Sequence, residues 1–155
     1  VEDRLFSTLD PITRRVRLPS GLNLLVTDTV GFIHKQPPAV VAAFRATLEE
    51  AEQSAVLLHL VDITHPNAAH QTIVVDTIIQ NLGLSGKPRI LVLNKIDQLQ
   101  PIDDIEPVSV VSDIVGNRSC VVPISAHHGT GLDRLLNEID TLLSGKNSPA
   151  TALPL

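Results

Sequence analysis

Residues 55–61, AVLLHLV, make an apolar run of strand length that does not alternate with polar residues. A strand with one wet face alternates. One that does not alternate must be covered on both faces, which is the situation of a parallel strand beneath helices. Two further runs of the same kind follow, at 88–93 and 120–124, and the segments between them carry apolar residues at helical rather than strand spacing. The expected fold is therefore α/β, a mostly parallel sheet with helices on both faces.

Ahead of these runs, two extended segments between residues 12 and 28 flank Pro19-Ser20-Gly21, which suits a tight hairpin and adds one antiparallel edge strand. Pro37-Pro38 can open a helix whose stripe is Val40, Phe44, Thr47, Leu48 and Ala51. Residues 67–82 read as a helix with Ile73, Val74, Thr77, Ile78 and Leu82 turned inward and Gly83 as its stop. Over 101–116 Pro107 interrupts the pattern, so a short broken helix is expected there. Thr130 and Asp133 resemble a helix start, with Leu132, Leu135, Leu136, Ile139, Leu142 and Leu143 as its stripe. Residues 1–144 are read as one domain, and 145–155 as a disordered tail without periodicity. His59, with no Cys or His at metal-like spacing, reads as a core histidine whose ring nitrogens are satisfied locally.

Each apolar run ends in a polar loop, and open α/β sheets bind ligands at the carboxyl ends of their strands. The run 88–93 ends in Asn94-Lys95-Ile96-Asp97. Guanine presents two donors on one edge, N1–H and the exocyclic amine, and the single carboxylate of Asp97 can accept both. Adenine cannot supply that pair, and a site built on such partners rejects the wrong ligand by roughly 10⁴-fold or more. In this arrangement Asn94 braces the loops and the stem of Lys95 lies along the base. The strand 22–27 ends in Asp28-Thr29-Val30-Gly31, where Asp28 can hold a Mg²⁺-bound water and Gly31 lets its backbone N–H approach a terminal phosphate. The run 120–124 ends in Ser125-Ala126-His127-His128-Gly129-Thr130-Gly131, where the Ala126 N–H can donate to guanine O6. Alone, each of these is an ordinary turn. In this order, each closing a strand, they point to a nucleotide site.

With these motifs the chain resembles the HflX family of translation-associated GTPases up to about Ser144. The resemblance is carried by Arg4-Leu5-Phe6-Ser7-Thr8-Leu9-Asp10-Pro11, Asp28-Thr29-Val30-Gly31-Phe32-Ile33, Ala43-Phe44-Arg45-Ala46-Thr47-Leu48-Glu49-Glu50 and Leu58-His59-Leu60-Val61-Asp62. It implies a three-layer P-loop GTPase-like fold and a cytoplasmic, monomeric guanine-nucleotide switch. Such a switch binds GTP or GDP with Mg²⁺ and acts on the 50S subunit and its rRNA. It also implies nucleotide contacts from Phe6, Ser7, Thr8, Leu9 and Asp10, from Asp28 to Gly31, from Asn94, Lys95, Ile96 and Asp97, and from Ser125, Ala126 and His127. Thr8 would ligate Mg²⁺ directly and Asp28 through water. Phe32 stands where many switch GTPases carry a water-orienting Gln, which implies slow intrinsic hydrolysis, and no residue is assigned as catalytic base. His34 reads as a surface loop histidine. No G-x-x-x-x-G-K-[S/T] occurs in these residues, so the first strand and the phosphate loop of that fold are missing from the sequence. The chain is accordingly read as a fragment that binds GTP weakly or not at all. The family's first strand belongs between the strands ending at Asp28 and Asp62, so its loss implies either closure of those strands or instability.

Composition narrows the alternatives. With 12 basic and 17 acidic residues the net charge is −5, so a polyanion contact must use a local patch, for which Arg14, Arg15, Arg17, Lys35 and Arg45 are candidates against the reading of a solvated edge strand. The single cysteine, Cys120, can form no internal disulfide, fits a reducing compartment, and is expected to be buried. No stretch approaches the roughly 20 apolar residues of a membrane span. Three Phe and no Trp or Tyr leave no stacking platform for single-stranded nucleic acid. Two other functions fit part of the pattern. One is a non-catalytic interaction module that keeps the base loops for structural reasons. The other is a receiver-type domain binding Mg²⁺ through Asp28, Asp62 and Lys95, which leaves Asp97 and Ser125-Ala126 unused.

Overall fold

The structure, a computed structural model, describes residues 12–28, 51–99, 107–116 and 118–145, with backbone alone for 107–110. The chain divides into two compact units, Val1–Ser54 and Ala55–Leu155. In the first, the β-branched and arginine-rich segment Ile12–Arg17 (β1) pairs antiparallel with Asn23–Asp28 (β2), Ile12 facing Asp28 and Arg17 facing Asn23. The hairpin expected around Pro19-Ser20-Gly21 is present. Leu18 N–H donates to Leu22 O at 2.8 Å and Gly21 N–H to Leu18 O at 2.8 Å, closing a three-residue loop with proline at its first position. Thr13 and Thr27 join their hydroxyls across the strands at 2.9 Å. Arg14, Arg15 and Arg17 are exposed, but alternation puts Arg14 on the opposite face from Arg15 and Arg17, so the three form no single patch. Lys35, Arg45 and nearly all of the helix expected after Pro37-Pro38 lie outside the described residues. Residues 51–53 are helical, and the Ser54 hydroxyl donates to Ala51 O at 2.8 Å.

The second unit holds the parallel sheet, in the order β3 (Leu57–Asp62), β4 (Arg89–Asn94), β5 (Val121–Pro123). Leu57 stands against Arg89, Asp62 against Asn94, and Leu93 against Pro123. Helix α1 (Ala68–Asn81) connects β3 to β4, α2 (Pro107–Val115) lies between β4 and β5, and α3 (Leu132–Leu143) follows β5. The central strand is buried throughout from Ile90 to Leu93, at 4% exposure or less, which is worth about 1.5–3 kcal/mol for each such side chain. Leu91 and Leu93 pack with Val61, Ile63, Ala68 and Ile114 in one core. Ile90, Val92 and Val122, on the other face by alternation, are fully buried as well.

Four expectations need correction. Strand β3, an edge of this sheet among the described residues, is not covered on both faces: Leu60 remains 58% exposed while its neighbours His59 and Val61 are buried. Helix α1 is rotated from its expected face: Ala68 and Thr72 are buried, and Ile73 and Thr77 face outward. The small Ala68 side chain allows close packing on the sheet, and the Thr72 hydroxyl is satisfied inside by Ala68 O at 2.8 Å. Gly83 ends α1 as expected, at φ +71, with Gly83 N–H donating to Gln80 O and Leu84 N–H to Ile79 O, both at 3.0 Å. Pro107 is the first described residue of α2, and residues 101–106, the other part of the stretch where a broken helix is expected, lie outside the described residues. Within α3, Ile139 is buried and Leu132 is exposed. Residues 146–155, expected as a tail, lie outside the described residues.

The fourth correction is His59. It is buried, at 8% exposure, but its Nδ1 has no hydrogen-bond partner among the described residues, so its ring is not fully satisfied. Burial lowers its pKa from 6.5 to about 4, opposed by the charge of Asp76 and reinforced by Arg89 and Arg118. Those three form a cluster. Asp76 on α1 accepts from Arg89 Nη1 at 2.9 Å and from Arg118 Nη2, while Arg118 Nη1 also caps α2 through Ile114 O at 2.6 Å and Val115 O at 2.9 Å.

Candidate nucleotide site

At the carboxyl end of β4 the chain stops being regular for a sterically defined reason. Lys95 sits in the left-handed region at φ +70, the one non-glycine residue to do so among the described residues. The turn throws Ile96–Gln98 into a single 3₁₀ turn, and the strain of a Cβ at positive φ, about 1–2 kcal/mol, is offset by what the turn brings together. Asn94 is the clasp. Its Oδ1 accepts the Lys95 N–H at 2.8 Å and, from the loop after β5, the Ala126 N–H at 3.0 Å. Ile96 N–H donates to Ile124 O at 3.3 Å, a second tie between the same two loops. The bracing expected of Asn94 is thus present, and the amide offered by resemblance to guanine O6 donates here to Asn94.

The loop after β5 is tightened from within. Ser125 and Thr130 bridge across it, Ser125 N–H donating to Thr130 O at 2.9 Å, and the His128 N–H donates to Ser125 Oγ at 3.2 Å. Gly131, at φ +78, starts α3 where an added Cβ would meet Pro123 O at 2.3 Å, so no other residue fits without moving the strand end. Ser125 is 1% exposed. A hydrogen bond from its hydroxyl holds the Asp97 carboxyl below the usual carboxylate range against a small opposing effect of burial, helped by Asp97's own amide and by the charges of His128 and His127. His128 Nε2 lies 3.8 Å from Asp97 Oδ2, and the rings of His127 and His128 meet edge to face at 4.7 Å. Asp97, Asn94, Ser125 and Ala126 therefore share one corner above the sheet, with the carboxylate ionised and able to accept two donors.

Three sequence candidates are placed less fully. Asp28 closes β2 with an exposed side chain in the first unit. Phe6, Ser7, Thr8, Leu9 and Asp10, together with Thr29, Val30, Gly31, Phe32 and His34, lie outside the described residues. Among the described residues no group of acidic, His or Cys side chains forms a metal cluster. Cys120 is half-buried rather than buried, and burial pushes its thiol pKa up. Asp62 entered no nucleotide motif and His128, though within the loop motif, was assigned no contact, yet both touch the site: Asp62 Oδ2 stands 2.6 Å from Lys95 Nζ and His128 Nε2 3.8 Å from Asp97 Oδ2. The signal for Asp62 was its place as the last residue of a strand next to β4.

The family model described as 50S ribosome-binding GTPase matches residues 1–95. Among curated relatives, the chain is 43% identical over 142 residues to GTPase HflX of Lacrimispora saccharolytica, covering 92% of this chain and 32% of that protein. It is 36% identical over 144 residues to GTPase HflX of Escherichia coli, covering 93% and 33%. It thus spans about a third of the length of the relatives it matches. Among solved structures, a GTP-binding protein from the archaeon Sulfolobus solfataricus in complex with GDP superposes with a TM-score of 0.71 at 30% identity, over 89% of this chain and 46% of that one. Fold and sequence agree, and the chain belongs to the family of 50S ribosome-binding GTPases.

Proposed function

We propose that this chain carries the guanine-reading half of a GTP-binding domain of the HflX type, whose whole protein hydrolyses GTP to GDP in association with the large ribosomal subunit in the cytoplasm. One observation carries the reading: Asn94 Oδ1 joins the loop of Asp97 to the loop of Ser125 and Ala126, which brings an ionised carboxylate and the two loops to one corner. In this reading Asp97 accepts guanine N1–H and the exocyclic amine, the Lys95 stem lines the base, and His127 closes the far side. Asp28, at the end of β2, offers a hard oxygen suited to a Mg²⁺-bound water, and Thr8 a hydroxyl ligand. When bound, Mg²⁺ supplies charge neutralisation at the β- and γ-phosphates. The family resemblance assigns nucleotide contacts to Thr29, Val30 and Gly31 and to Phe6, Ser7, Leu9 and Asp10, all outside the described residues.

The test is a ¹H–¹⁵N NMR titration of the 155-residue chain with GDP and with ADP. The expected result is millimolar rather than micromolar binding, since no G-x-x-x-x-G-K-[S/T] loop is present, with shifts confined to residues 94–98 and 125–128 and seen with GDP alone. Equal shifts with ADP would reject the guanine reading.

A further inference from the structure

Asp62 ends β3 and stands directly opposite Asn94 in the parallel register. Its carboxylate is fixed by two neighbours of different kinds. Oδ1 accepts the Thr64 N–H at 3.0 Å and the Thr64 hydroxyl at 2.6 Å, which sets the plane of the group. Oδ2 is left to face Lys95 Nζ at 2.6 Å. Burial works to raise the pKa of Asp62, but the hydrogen bonds from Lys95 and Thr64 and the charge of Lys95 lower it overall, so the partner of the ammonium is a carboxylate.

A lysine tail has four rotatable bonds and ordinarily samples many positions. Here both ends are held. The backbone of Lys95 is locked at φ +70 with its N–H on Asn94 Oδ1, and its ammonium is tied to an acid that Thr64 prevents from turning away. The aliphatic stem between them is stretched along the carboxyl edge of the sheet, from β4 toward β3, beside the asparagine that clasps the Ala126 loop. We propose that Asp62 is a positioning residue for nucleotide recognition: it anchors Lys95 so that the stem forms a preset wall of the guanine slot. The proposal rests on the guanine reading of Asp97. The competing role is a local one, in which Asp62 merely shapes the turn at Thr64.

A preset wall helps because a ligand that must first order a side chain loses affinity to that ordering. Both side chains are partly exposed, at 44% for Lys95 and 36% for Asp62, so the anchor should change the Kd for GDP by roughly two- to fivefold.

The experiment compares GDP and ADP binding by NMR titration for the 155-residue chain and for Asp62→Asn, Lys95→Met and the double variant. Asparagine keeps an oxygen for Thr64 and so keeps the turn, whereas methionine keeps a stem but has no ammonium to anchor. Asp62→Asn and Lys95→Met should each weaken GDP by the same factor, and the double variant should be no weaker than either alone. A merely local role for Asp62 predicts no loss in Lys95→Met and leaves any loss to Asp62→Asn alone. If Asp62→Asn fails to fold, Lys95→Met decides alone, because an anchored stem predicts a loss and an unanchored one predicts none. GDP binding unchanged in these variants, with preference over ADP retained, would overturn the anchor and leave the guanine reading standing. Loss of the GDP preference in the unmodified chain would overturn both.

Discussion

On the proposed guanine reading, Asp97 sets base identity through the direction of its hydrogen bonds, and that direction can be inverted. In Asp97→Asn the side chain can turn a donor toward the base, so xanthine, which carries an oxygen in place of the exocyclic amine, becomes the better partner. The preference between GDP and XDP should swing by about a hundredfold or more toward XDP, measured as a ratio of Kd values by competition. A second single-residue outcome concerns shape. Gly131→Ala places a methyl against Pro123 O at a φ of +78 and should cost about 2 kcal/mol or more, read as a lower urea midpoint. It should also shift the NMR signals of 125–130, since Gly131 sits where that loop meets α3. The sequence showed the glycine. It could not show the carbonyl opposite it.

Strand β3 and helix α1 carry the pH response. His59 titrates at about 4 when folded and near 6.5 when unfolded, so between those values the unfolded chain binds more protons than the folded one. Stability is therefore complete above about pH 6.5 and falls as the pH drops toward 4, by up to about 3 kcal/mol. Asp62 and Asp97, whose pKa values are lowered, add their losses below about pH 4. In His59→Leu the slope between pH 6.5 and 4 should shrink, as followed by urea denaturation at several pH values. Asp76→Ala removes the acid shared by Arg89 and Arg118 and should destabilise by about 1–3 kcal/mol, less than for a fully buried pair because these side chains are 20–30% exposed. The rotated face of α1 has the same origin. Apolar periodicity marked Ile73 and Thr77 as inward, but packing chose Ala68 and Thr72, because the helix contacts the sheet through small side chains, and Asp76, at i+4 from Thr72, continues that same face.

For the molecule as a whole, protection should follow sheet position. Leu91, Val92 and Leu93 belong to a central strand paired on both sides, whereas among the described residues β2 pairs with β1 alone, and a two-stranded hairpin is marginal by itself. Hydrogen exchange should be slowest at 91–93 and faster through 24–28 by an order of magnitude or more, roughly the difference between global and local opening. Among the described residues, the unit Ala55–Leu155 contains all three parallel strands and the residues proposed to read the base. A polypeptide of residues 55–155 should therefore fold and keep its preference for GDP over ADP, with its spectrum overlaying that of the longer chain.

The sequence by itself determined the hairpin, the three parallel strands, the stop of α1 at Gly83 and the residues that meet in the corner after β4 and β5, because apolar run length, turn chemistry and short hydrogen-bonding motifs are local properties. It misjudged the inward face of α1, since apolar spacing does not say which side chains a neighbouring sheet accepts. Only the tertiary structure decided that Asn94 clasps the Ala126 loop, that His59 is buried with Nδ1 unpartnered among the described residues, and that Asp62 meets Lys95. The first and last of these join residues 32 and 33 positions apart (94 and 126, 62 and 95). Such separations are closed only when the parallel strands come together, and pairing is a property of the folded sheet.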